Sequence, residues 1–227
     1  MARVMSTIAS ACKWLVVSLV FSVLIEWIGM IFWWPEQGLE HSRTMLAQEL
    51  TYLGAHFHHS WLVREPIQFA AALSETVSYY AFEWTRLLEF CQWMSPSPEP
   101  HERGVRPLLH AVYTPTAEFV LAGVQITQVF TVRLAILLLA TPVFALFALV
   151  ALVDGLVRRD LRRWGGGRES SFIYHYAKTA TLPLITTAWV VYLALPFSVH
   201  PSWIILPFAL AFAGAIALTA STFKKYL

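Results

Sequence analysis

Between Asp154 and Lys178 the chain gathers Arg158, Arg159, Arg162, Arg163, Arg168 and Lys178, directly after a long apolar run. Arg158, Arg159, Arg162 and Arg163 fall on one side of a helix continuing that run, where guanidinium groups can meet lipid phosphates or a partner's carboxylates. Trp164 follows, and Gly165 to Gly167 end the helix, with Ser170 or Ser171 placed to cap the next. Three glycines before a helix N-terminus can also cradle an anion. No Lys-Ser or Lys-Thr follows at the spacing of a phosphate-binding loop, so nucleotide hydrolysis is not expected. The plainer reading is a basic loop with a tight turn that fixes orientation.

Two other groups could do chemistry. His56 and His59 share a helical face at three-residue spacing, with His58 between them and His41 upstream, a geometry able to hold a metal. No Cys or Asp joins them and no His-Glu-x-x-His pattern is present, so a structural or solvent-facing role is expected, with no metal, cofactor or catalytic residue. Glu26 lies within an apolar run, where a carboxyl group is costly unless neutral or paired. Equal depth points to Thr141 and Thr187 as its hydrogen-bond partners. A proton or ion relay would use the same carboxyl, but with one acid and no second intramembrane charge a buried bond setting helix register is the expectation.

The elements carrying these residues are set by composition: 57% hydrophobic residues, 13% charged, mean hydropathy +0.57 and ten Trp are more than a soluble domain of this size can bury. Segments 14–34, 134–153, 179–196 and 202–223 are apolar for about the 20 residues that cross a hydrocarbon core of roughly 30 Å. None alternates with period two, so helix is the only way to satisfy their backbones in lipid. The expectation is an all-α polytopic protein with four transmembrane helices. The first run is too long for a cleaved signal, carries Glu26 and ends in Trp33, Trp34 and Pro35, so it reads as an anchor.

Basic residues set the orientation. Arg3 and Lys13 (segment 1–13), the loop 154–178 and Lys224 and Lys225 (segment 224–227) are assigned to the cytoplasm of a bacterial inner membrane. The loop 197–201 has no Lys or Arg and is assigned outside. Segment 35–133 then forms a helical periplasmic domain whose ten Glu against six Arg, Arg133 included, argue against nucleic-acid binding there. Cys12 and Cys91 fall on opposite sides of the membrane, each with a packing role.

Within 35–133, Leu39, Leu46, Leu50, Leu53 and Phe57 predict one helix. Ala70, Leu73, Val77, Tyr80, Trp84, Leu87 and Cys91 predict a second, opening at Pro66. Pro96, Pro98, Pro100 and Pro107 mark 95–107 as an extended linker. Thr114, Pro115 and Glu118 suit a third helix N-terminus, running from about residue 116 through 153 and making the outer part a three-helix bundle. Pro142 and Pro183 interrupt the second and third spans, as in some transporters. Ala209, Ala213 and Ala217 allow close helix approach, within this chain or to another chain's helix, including self-association.

The stretch Arg158 to Lys178, above all Arg162-Arg163-Trp164-Gly165-Gly166-Gly167-Arg168-Glu169-Ser170-Ser171, resembles the integrating conjugative element membrane proteins of bacterial conjugative-transfer operons, as does the order of spans. That resemblance implies a role in conjugation beside the type IV secretion machinery and its coupling ATPase, and supplies no catalytic residues. The expectation is a non-enzymatic subunit that meets other conjugation-machinery membrane proteins, or anionic lipids, through Arg158, Arg159, Arg162, Arg163, Trp164, Arg168 and Glu169 of the loop, and partners also through the helical periplasmic domain. No direct nucleic-acid contact is expected. The competing readings are a small transporter or channel using Glu26 and the proline-broken spans, and an enzyme using the outer histidines.

Overall fold

Backbone groups in an apolar surrounding must bond within their own segment, and all regular structure among the described residues is helical. The computed structural model describes residues 2–56, 63, 65–96, 105–165 and 171–223. Its helices are α1 (Ala2–Phe32), α2 (Leu39–His56), α3 (Pro66–Ser78), α4 (Leu87–Met94), α5 (Arg106–Trp164), α6 (Ser171–Ala194) and α7 (Ser202–Thr222).

Among the described residues, three stretches are long and apolar enough to cross a membrane, Cys12–Phe32, Leu109–Trp164 and Ser202–Thr222. The expected four spans are corrected to three, because the run 179–196 does not qualify. Its helix α6 stops at Ala194, and Lys178, Thr179, Thr181, Thr186 and Thr187 dilute its apolar residues around Pro183.

The chain forms two compact units. The first comprises Met1–His59, Glu65–Ala135 and Leu193–Ser198. Its core joins Val23 of α1, Met45 and Leu46 of α2, and Ile126 and Val129 of α5. Trp27 Nε1 donates to the Phe119 carbonyl at 2.8 Å, and Gly123 lies against Val23 and Trp27, so α1 and α5 run antiparallel here. The buried face of α2 is Ser42, Met45, Glu49 and Leu53, a helical spacing of three and four that includes two polar residues.

The predicted second outer helix is interrupted. Tyr79–Glu83 is a π turn, closed by Trp84 N–H to the Tyr79 carbonyl at 2.9 Å. One extra residue in a turn rotates everything beyond it, so Tyr80 and Trp84 are exposed while Phe82 is buried. Arg86 then adopts φ 56°, and α4 restarts with Cys91 and Met94 inward.

The third helix begins at Arg106, about ten residues earlier than the Thr-Pro pair suggested, so Pro107 lies in its first turn instead of in a linker. It continues through Pro115. Thr114 Oγ1 donates to the His110 carbonyl at 2.8 Å and Thr116 Oγ1 to those of Val112 and Tyr113 at 3.0 and 3.1 Å, engaging carbonyls around the proline with its missing N–H.

The second unit comprises Ser60–Arg64, Ile136–Tyr192 and Val199–Leu227. A Cβ on Gly155 would lie 2.6 Å from the Ala217 carbonyl oxygen and 2.7 Å from Ala220 Cβ, so glycine sets the distance between α5 and α7. Phe144 and Phe212 meet edge to face at 6.2 Å. Ala209 and Ala213 are buried, so part of the small-residue stripe is used in packing within the chain.

Candidate functional site

Most of the buried polar side chains belong to the first unit, and the basic cluster of α5 belongs to the second. In the first unit the chain turns sharply after α1. Trp33 and Trp34 N–H both reach the Gly29 carbonyl, and Gly38, at φ 49°, donates to the Trp34 carbonyl before α2 begins. Any Cβ on Gly29 would collide with the Trp34 ring, so glycine lets the indole fold back over α1. That indole stacks on His41 at 4.0 Å, and His41 Nδ1 lies 3.0 Å from Glu26 Oε1.

Glu26 is therefore paired with His41, and the expected bond to Thr141 or Thr187 is corrected. Thr141 donates to the carbonyl of Leu137 on its own helix, and Thr187 is exposed. The α1–α2 turn brings an imidazole fifteen residues away back onto the carboxyl group, a better partner than a hydroxyl because it can carry the compensating charge.

Glu26 does not stand alone as a buried ionisable group. Arg133 and Glu49 are almost wholly enclosed, with Arg133 Nε donating to Glu49 Oε1 at 2.8 Å. Arg133 also donates to the carbonyls of Leu195 and Phe197 at 2.6 and 2.8 Å. Those carbonyls follow the end of α6, where Pro196 stops the helix and a cation is favoured. Ser198 Oγ completes the cluster, at 3.1 Å from Glu49 Oε1 and 3.2 Å from the Met45 carbonyl. A few residues away Ser42, also enclosed, bonds Gln125 Oε1 at 3.0 Å. Sequence reasoning counted Arg133 and Glu49 as charges of the outer segment and missed their pairing. The available sign was Arg133 itself, at the lip of the apolar run 134–153.

In the second unit α5 carries the predicted basic cluster on the helix that continues the second apolar run, ending at Trp164 with Gly165 N–H on the Leu161 carbonyl at 3.0 Å. The four arginines are not equivalent. Arg158 is exposed and pairs with Asp154 at 2.8 Å, one turn back. Arg159 is 24% exposed and approaches Asp160 only at 3.4 Å. Arg162 is half-buried, with Nη2 enclosed and unpartnered, while Arg163 is exposed and Trp164 is 92% exposed. Arg168 and Glu169 lie outside the described residues, as do His58 and His59; the side chain of His56 is not described either. Basic side chains at a helix C-terminus complement its negative end and leave their donors available to an anionic surface.

This architecture, apolar helices closed by a cluster of arginines and an exposed Trp, meets a family match across most of its length. The family described as IncC plasmid conjugative DNA transfer protein DtrJ-like matches residues 33–224. The chain belongs to the DtrJ-like family. Its link to conjugation thus holds, but the matching family is plasmid-borne DtrJ-like, not that of integrating conjugative elements. The match spans both units and takes in the turn at Trp34, Arg133 and the basic end of α5. Comparisons with curated proteins and with solved structures give no match.

Proposed function

We propose that this DtrJ-like protein is a non-enzymatic inner-membrane subunit of a type IV secretion apparatus for conjugative DNA transfer. The N-terminus and the basic end of α5 face the cytoplasm, and the segment between α2 and α5 lies outside. The basic end of α5 docks another membrane component of the machinery or its coupling ATPase. The observation that carries this reading is the graded presentation of that end. Arg163 and Trp164 project into solvent beside Arg158, which is exposed but paired with Asp154, and the arrangement suits the carboxylates and apolar rim of a protein partner. Removing the chain from donor cells is expected to abolish transfer, with rescue by the full chain in trans, whereas removal from recipients leaves transfer unchanged. Undiminished transfer from donors lacking the chain would contradict the proposal.

One observation favours a second reading, a proton or ion path through Glu26. Its Oε2 is buried, has no hydrogen-bond partner among the described residues, and Glu26 borders a cavity shared with Arg133. That cavity measures about 10 Å³, room for about one water. A single enclosed water completes a structural network more readily than it forms a path, which supports the subunit reading.

A further inference from the structure

Two cations, Arg159 of the α5 basic cluster and Lys178, line an apolar pocket of about 360 Å³ in the second unit. Leu152, Leu156 and Arg159 line it from α5, at the spacing of one helical face. Lys178 and Thr181, three residues apart, face it from α6. Ile216, Thr219 and Phe223 close the third side from α7 and its C-cap. The lining is mostly apolar and includes two cations from different helices and two hydroxyls.

We infer that this pocket binds an anionic phospholipid, with the phosphodiester between Arg159 and Lys178 and the start of one acyl chain against Leu152, Leu156 and Ile216. Charge complementarity selects the headgroup. Arg159 donates to Asp160 Oδ1 from Nε and Nη2, each at a long 3.4 Å, and among the described residues its Nη1 has no partner; Lys178 has no carboxylate partner there, its ammonium lying 5.8 Å from the Tyr174 ring centroid. Both cations therefore keep donors for a phosphate. The neighbouring groove beside Leu146 and Leu210 has Arg158 at its edge, but that guanidinium is already held by Asp154 at 2.8 Å.

The apolar wall selects a lipid over a soluble phosphate. From Arg159 to Leu152 the helix descends seven residues, about 10 Å at 1.5 Å per residue, most of the depth of one hydrocarbon leaflet. A basic pocket between apolar helices at the cytoplasmic surface is a recurrent lipid headgroup site. The inference rests on the reading that this end of α5 lies at that surface, but its test uses purified protein, so its failure would leave the role in DNA transfer standing.

The experiment is native mass spectrometry of the purified full-length chain in detergent, titrated with dioleoylphosphatidylglycerol or with dioleoylphosphatidylcholine. Phosphatidylglycerol is expected to bind more tightly than phosphatidylcholine. Arg159→Gln and Lys178→Gln are each expected to weaken it about fivefold, the value of one basic side chain at a lipid surface. Arg43→Gln, an exposed arginine of the first unit that does not line the pocket, leaves binding unchanged. Ile216→Trp keeps both cations, fills the apolar wall and should also weaken binding, so the inference stays testable if the charge variants fold poorly. Inorganic phosphate in excess does not displace the lipid. Equal binding of the two lipids, an Arg43→Gln loss as large as the pocket variants', full binding by Ile216→Trp, or displacement by phosphate would each overturn the assignment.

Discussion

Arg133 and Glu49 are each tolerable in the interior only because the other is present. Removing one partner of a buried pair strands a charge, so Arg133→Met or Glu49→Met is expected to cost about 3–5 kcal/mol, and the double variant less than the sum. Chemical unfolding in detergent measures both; additive losses would show that the pair is not coupled. Glu26 differs, since its partner is an imidazole and a neutral amide can keep that hydrogen bond. Glu26→Gln should therefore leave transfer intact at normal protein level, whereas lost transfer would favour a proton relay. None of these pairings was legible in the sequence beyond the cost of a buried Glu26. Glu49 and Arg133 are 84 residues apart, and His41 reaches Glu26 only because Gly29 lets Trp34 fold back.

The apolar runs were legible as helices because length and composition decide them locally. What failed lay where a local rule was overridden. Thr114-Thr116 around Pro115 read as a helix start, yet their hydroxyls engage the neighbouring carbonyls and α5 runs through. The stripe from Ala70 to Cys91 read as one helix because seven-residue periodicity does not reveal a π turn between Tyr79 and Glu83. On α2, Ser42 and Glu49 hid the buried face, since apolar periodicity counts them as surface. The small-residue stripe of α7 was visible, but its packing against Gly155 needed the structure. Gly155→Ala should destabilise the second unit by about 1–3 kcal/mol, because its Cβ meets backbone. Gly214→Ala, opening into empty space, should be neutral or stabilising by up to about 1 kcal/mol. Thermal unfolding of the two variants checks this, and equal effects would refute the close approach.

The basic cluster was the most legible part of the candidate site, because charge beside an apolar run shows directly in sequence; its division into paired, half-buried and projecting arginines was not. Orientation is tested by reporter fusions, expected outside the cytoplasm at residue 100 and inside at residue 165; a cytoplasmic reporter at 100 would overturn the arrangement. The role proposed for the α5 end asks more than positive charge. Lys holds a loop inside as well as Arg does, but lacks the planar fork that grips a carboxylate with two bonds. The decisive measurement is conjugation frequency from donors carrying Arg158→Lys, Arg159→Lys, Arg162→Lys and Arg163→Lys together, at normal protein level and insertion. A docking role predicts severely reduced transfer, and wild-type transfer from that variant would contradict it.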